Sequence, residues 1–189
     1  MTKAQARAGL LDRRRAMGTR ERAEAAEAIA LHALAVPVFA RARRVACYLS
    51  MPAEPGTGPL VAGLHDRGIQ VVVPISRDDH TLDWVAYDPA SPTTTTSLGI
   101  PEPAGPRLGP AALDGCDAVI VPALAVDHAG HRLGRGAGYY DRALAGVTAP
   151  VCALVFAHEL LPEVPHEPHD VPVQMALTPS GLFRVLPGG

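Results

Sequence analysis

"CDAVIVPAL", residues 116–124, sets the fold class. From Ala118 to Val121 the run is apolar without interruption and rich in β-branched side chains. A strand with one wet face would alternate polar and apolar residues, so a continuous run predicts a strand buried on both faces. On either side of it, "PVCALVF" (150–156) and "IQVVVP" (69–74) have the same character, and "RRVACYL" (43–49) reads as a further strand. "LDWVAY" (82–87) reads as an edge strand, and "GLFRVLP" near the end as the final strand. Between these runs lie helical segments. "GPLVAGLHDRG" (58–68) is a short helix closed by Gly68, and another helix begins near Tyr139. The first forty residues read as two helices broken at Gly18-Thr19, with Thr19 as the expected N-cap of the second. In that helix Ala26, Ile29, Ala30, Ala33 and Leu34 form an apolar stripe suited to a sheet. Residues 88–112 are rich in Pro, Thr, Ser and Gly and read as a long ordered loop. Alternating strands and helices predict a mostly parallel α/β sheet, as one domain over residues 1–189.

Ligands of such sheets bind beyond the carboxyl ends of the strands. The central run leads into "HRLGRGAGYYDRAL", residues 131–144. Gly134, Gly136 and Gly138 alternate there, and Arg132 and Arg135 supply forked positive donors. Glycines let a ligand approach the backbone closely, and a helix starting behind them points free N–H groups at the same place. The loop is built for an anion, and a polyphosphate fits best. It matches neither GxxxxGK[ST], which needs a lysine, nor GxGxxG, because Tyr139 stands at the last glycine. Asp141 reads either as a first-turn helix carboxylate or as a magnesium ligand. One of Tyr139 and Tyr140 is expected in the core and the other toward the ligand, because adjacent helix residues do not share a face.

Composition narrows the class. Lys and Arg number 17 against 19 Asp and Glu, a net charge of −2, so there is no global pull toward nucleic acid or anionic membrane. Cys47, Cys116 and Cys152 are dispersed among apolar neighbours and read as reduced, buried thiols. The opening "MTKAQARAGLLDRRR" has no long apolar run, and no segment approaches the length that spans a bilayer. A cytoplasmic monomer acting on small molecules is expected. His158, His166, His169 and Asp170 match no standard zinc spacing, and the histidines read as a surface loop. Trp84 reads as core.

The stretch "VPALAVDHAGHRLGRGAGYYDRAL" resembles the signature of the 5-formyltetrahydrofolate cyclo-ligases, also called methenyltetrahydrofolate synthetases. That signature runs P-x-L-A-F-D-x-x-G-x-R-L-G-x-G-x-G-Y-Y-D, and Val126 holds the phenylalanine place. "KAQAR" resembles the family's K-x-x-L-R with Ala6 for leucine, and "YLSMPAEPGT" (48–57), "LGIPEP" (98–103) and "PHEPHDVPVQMALTP" resemble further family segments. The resemblance implies a three-layer α/β/α sandwich. It implies ATP as co-substrate, bound by Lys3, Arg7 and the run Arg132, Leu133, Gly134, Arg135, Gly136, Ala137, Gly138, Tyr139 and Tyr140. It implies folate contacts from Leu49, Glu54 and the stretch Arg135 to Tyr139, and Mg2+ held by Asp141 and Asp170. Arg135, Asp141 and Glu54 become the expected catalytic residues. The family often carries a second acidic residue four positions after the C-terminal aspartate, where this chain has Gln174. The reaction implied is ATP-dependent closure of 5-formyltetrahydrofolate to 5,10-methenyltetrahydrofolate. A nucleotide- or folate-binding module without turnover, and an α/β enzyme of sugar phosphates or acyl-CoA, are the alternative readings.

Overall fold

The computed structural model describes residues 2–96 and 99–185. Helices α1 (Lys3–Ala16), α2 (Thr19–Ala35) and the single turn α3 (Pro37–Ala40) open the chain. There follow β1 (Arg44–Cys47), α4 (Gly58–Asp66), β2 (Gln70–Ser76), β3 (Leu82–Ala86), β4 (Thr93–Thr95) and β5 (Pro101–Pro103). A 3₁₀ turn, Pro110–Gly115, leads to β6 (Ala118–Pro122), β7 (Ala125–Asp127), β8 (Arg132–Leu133) and α5 (Tyr139–Ala143). The chain ends through β9 (Val151–Leu154), β10 (Leu160–Leu161), β11 (Met175–Thr178) and β12 (Gly181–Arg184).

Seven strands form the main sheet in the order β12-β11-β9-β6-β1-β2-β3. The apolar run Ala118 to Val121 lies in β6, the central strand. Parallel pairing joins β2, β1, β6, β9 and β11, and the two edges, β3 and β12, are antiparallel. Period-two geometry sends side chains to both faces. Val45 and Cys47 of β1 enter one apolar cluster with α2 and α4, while Ala46 enters the cluster on the opposite face. That second face is covered by α5, the 3₁₀ turn and loops around Val147 and Val173, which completes the three layers. The expected stripe of α2 is buried at Ala26, Ile29, Ala30 and Ala33, with Leu34 packed beside it. Cys47, Cys116 and Cys152 are free and buried, and burial pushes the Cys116 thiol up to about 11. Trp84 is in the core.

Several expectations shift. Gly18, in extended conformation, is the N-cap of α2, so Thr19 is the first helical residue. The side-chain cap belongs to α1, where Thr2 and Gln5 close a reciprocal capping box. Residues 88–112 are not all loop. Thr93–Thr95 pair antiparallel with Pro101–Pro103, as β-branched threonines favour. Ser97 and Leu98, including the first residue of "LGIPEP", and the end of "GLFRVLP" lie outside the described residues. A second sheet, β10-β7-β8, is made of strands too short to leave a periodic signal. Among the described residues no helix is long and apolar enough to cross a membrane.

Candidate active site

The chain turns from β1 toward β2 on one side of the sheet, and from β6 toward β9 on the other. The connections leaving the carboxyl ends of β1 and β6 therefore run in opposite directions, and a doubly wound sheet opens its ligand crevice at such a point. Tyr48 and Leu49 after β1, and Pro122 to Leu124 at the end of β6, line a cavity of about 410 Å³ there.

The glycine loop forms another wall. It leaves the β7–β8 hairpin, whose turn is closed by the buried carboxylate of Asp127. Asp127 Oδ1 accepts from the amides of Ala129 and His131, each at 2.9 Å, and Oδ2 accepts from the Val164 amide at 3.0 Å. Burial alone would raise this carboxyl. Its bond to the His131 ring and those amides outweigh burial and hold it below the usual carboxylate range. Beyond β8, the carbonyl of Gly134 accepts from Arg7 Nε at 2.9 Å and that of Ala137 from Arg142 Nη2 at 2.7 Å. Gly136 (φ +103°) and Gly138 (φ +71°) take the left-handed region. A Cβ at Gly136 would stand 3.2 Å from the Arg7 guanidinium carbon, so the glycine also permits close approach. With carbonyls held from outside, the amide N–H groups of residues 134–138 find no acceptor among the described residues. Successive free amides are the donors that anion-binding concavities use. Helix α5, five residues long, adds little dipole to it.

Every residue expected at the site lines this one cavity. Helix α1 brings Lys3 and Arg7. Lys3 Nζ donates to Glu167 Oε2 at 2.6 Å and Asp170 Oδ2 at 2.7 Å. Burial lowers the Lys3 ammonium, but the bonds to Asp170 and Glu167 raise it above its ordinary value. For Asp170 burial works upward and is overcome by the bond from Lys3, so its carboxyl is held down. Buried Arg132 pairs with Asp141 Oδ1, and its Nε has no partner among the described residues. Arg135 Nε reaches Glu54 Oε1 at 3.2 Å, while Glu54 Oε2 accepts from the Met51 amide at 2.9 Å. Glu54 is thus a buried turn carboxylate with one oxygen aimed at the glycine loop. Tyr140 packs against both core clusters, and burial together with the Glu54 charge pushes its phenol well up. Tyr139 packs against one cluster only and stands edge-on to His80.

Asp141 and Asp170 share the cavity, yet the tight donor cluster joins Asp170 to Glu167 and His169, with ligand atoms within 4.8 Å of one another, and leaves Asp141 outside. His166 stacks on His131 with ring centroids 3.5 Å apart. Sequence reasoning missed Glu167 and His169, because "HEPHD" fits no zinc spacing and reads as surface. It also missed the apolar lining of Met51, Leu82 and Ile100, and it missed Arg14, a cavity-lining residue on the first helix.

The chain matches the model of the 5-formyltetrahydrofolate cyclo-ligase family over residues 1–179. The chain belongs to that family. It is 40% identical over 186 residues to the 5-formyltetrahydrofolate cyclo-ligase of Mycolicibacterium smegmatis, covering 95% of this chain and 94% of that one. It is 32% identical over 180 residues to the enzyme of the same name from Escherichia coli K12, covering 91% and 97%. The NMR structure of the Aquifex aeolicus 5,10-methenyltetrahydrofolate synthetase superposes with a TM-score of 0.85 at 26% identity, covering 100% of this chain and 95% of that one.

The departures from the cyclo-ligase signature fall away from the cavity floor. Ala6 and Val126 are buried packing positions. Gln174 is exposed and is not part of the cavity wall. Its Oε1 accepts from the Val151 amide at 2.8 Å, so it caps the start of β9.

Proposed function

We propose that this cyclo-ligase-family chain couples ATP hydrolysis to closure of 5-formyltetrahydrofolate into 5,10-methenyltetrahydrofolate. The observation that carries the reading is the row of unpaired amides at residues 134–138, in a cavity that is lined by Lys3, Arg7, Arg132 and Arg135 and also by apolar side chains. Phosphates suit the amides and the cations. A pterin ring suits the lining made by Leu49, Met51, Leu82, Ile100 and Tyr139.

A formamide is a poor electrophile and its oxygen a poor leaving group. Attack by the formyl oxygen on the γ-phosphorus, with ADP leaving, cures both defects. The neighbouring nitrogen then bonds to the activated carbon and loses its proton. The C–O bond breaks, and inorganic phosphate departs with the former formyl oxygen. The protein supplies no nucleophile. Its residues position the two substrates and stabilise charge, the main task in phosphoryl transfer. Arg7 and Arg135 counter phosphate charge beside the open amides. Glu54, its second oxygen fixed by Met51, orients Arg135 and faces the reacting part of the folate. Asp170 and Glu167 offer adjacent hard oxygen donors of the kind magnesium prefers and so fit the ion, and Asp141 lines the same cavity outside that cluster. Bound there, magnesium would neutralise phosphate charge.

The test is spectrophotometric. Protein, 5-formyltetrahydrofolate, magnesium and ATP should produce the methenyl chromophore in the near ultraviolet, and omission of ATP should abolish it. A band that grows equally without ATP, or no band at all, defeats the proposal.

A further inference from the structure

On α1, Lys3, Arg7, Leu10 and Arg14 recur at spacings of four, three and four, which places them on one stripe of the helix. The first two reach the anion wall. The last is buried, 1% exposed, and meets the fully buried Glu159 of the turn after β9. The guanidinium forks onto the carboxylate, Nε to Oε1 at 2.7 Å and Nη2 to Oε2 at 2.8 Å. Nη2 also donates to the carbonyl of Ala123, just beyond central strand β6. Glu159 Oε2 accepts in addition from the Phe156 amide at 2.8 Å, and the guanidinium lies over the Phe156 ring, 5.5 Å from its centroid. From the other side, Arg22 of α2 donates to the Arg14 carbonyl at 3.1 Å.

Such a pair contributes little stability for its burial, since removing two charges from water costs as much as their attraction returns. A forked guanidinium–carboxylate contact instead fixes direction. Apolar packing supplies little direction to α1. Its buried apolar side chains are only Ala6 and Leu10, which sit in a small cluster with Leu124, Ala125, Leu133 and Val164. Lys3 lies about 16 Å along the axis from Arg14 and Arg7 about 10 Å, so a small tilt at the anchor displaces both.

We propose that Arg14 and Glu159 form a positioning pair that aims Lys3 and Arg7 at the nucleotide phosphates, without themselves binding nucleotide. This rests on the reading of the cavity as an ATP site. Glu159 is absent from the cavity wall, and Arg14, which lines it, already commits Nε and Nη2 to Glu159 and the Ala123 carbonyl.

The test compares wild type, Arg14→Met, and the double variant Arg14→Met with Glu159→Leu. Arg14→Met should raise KM for ATP on the order of tenfold, with kcat and KM for the folate within about twofold, since misplacing a binding group by about 1 Å is costly. Its Tm should fall, because Glu159 is left buried without a counter-charge. The double variant should recover most of that Tm and keep the raised KM for ATP. A double variant that recovers Tm and the wild-type KM together overturns the positioning role, as does Arg14→Met with both KM values raised alike or neither raised. If wild type makes no methenyl product, the proposed reaction fails by itself. Calorimetric Kd for ATP across the same proteins then decides the positioning pair, and a wild type that binds no ATP overturns both.

Discussion

The turn between β7 and β8 and the loop after β8 both depend on left-handed glycines, Gly130 at φ +86° in the first, Gly136 at +103° and Gly138 at +71° in the second. In the first, the Asp127 carboxylate gathers the amides of Ala129, His131 and Val164. In the second, Arg7 and Arg142 take carbonyls of the loop, and its amides are left without acceptors. One turn carries its own anion and serves the fold. The other has no such acceptor among the described residues, and its amides face the cavity region that the proposed function assigns to phosphate. A structural loop and a binding loop thus differ less in backbone type than in who supplies the negative charge.

The largest effect should come from emptying the first turn. Asp127→Ala removes the acceptor of three amides and should cost about 3–5 kcal/mol of stability, read by urea unfolding. A loss under about 1 kcal/mol would mean the turn does not need its internal anion. Next, Asp141→Asn should lower kcat/KM at least about a hundredfold, near 2.7 kcal/mol, with a smaller fall in Tm, because asparagine still accepts from Arg132 but no longer balances its buried charge. Near wild-type turnover at limiting magnesium would remove Asp141 from the metal site.

Gly136→Ala places a side chain against Arg7 in a strained conformation and should cost about 1–3 kcal/mol, seen as a raised KM for ATP. Gly68→Ala is the control, because Gly68 also has positive φ (+74°) but open space around it. It should lower Tm alone, and equal effects on KM in both would erase the distinction between the loops. The smallest effect concerns acid. Asp127 and Asp170 are held below their ordinary values, and a group depressed in the folded state stabilises above its unfolded pKa and loses that contribution as pH falls through the folded one. Stability should therefore be flat near neutrality and decline below about pH 4, with a shallower decline in Asp127→Asn, followed by circular dichroism.

Much of this was legible along the chain. The apolar runs of β1, β2, β6 and β9 marked the parallel sheet, and Gly134, Gly136 and Gly138 between arginines marked the anion loop. What escaped was short or long-range. Strands β7, β8 and β10 have two or three residues each and carry no period. Glu167 and His169 lie in a stretch with no recognisable metal spacing, and Lys3, the partner of Glu167, is at the other end of the chain. Arg14 looked like its neighbours Arg13 and Arg15, and no local pattern separates a buried arginine from two solvated ones.

By itself the sequence determined most strands of the main sheet, where the crevice-side loop lies and that this loop is rich in glycine and arginine. Those properties depend on side-chain polarity, β-branching and glycine content within a few residues. Only the tertiary structure decided which charge meets which. Arg14 finds Glu159 across 145 positions, and Lys3 finds Asp170 across 167. A flexible cationic side chain has no preferred partner in the sequence. It acquires one when the packing of α1 against the carboxyl ends of the sheet removes water from one carboxylate and leaves the others solvated.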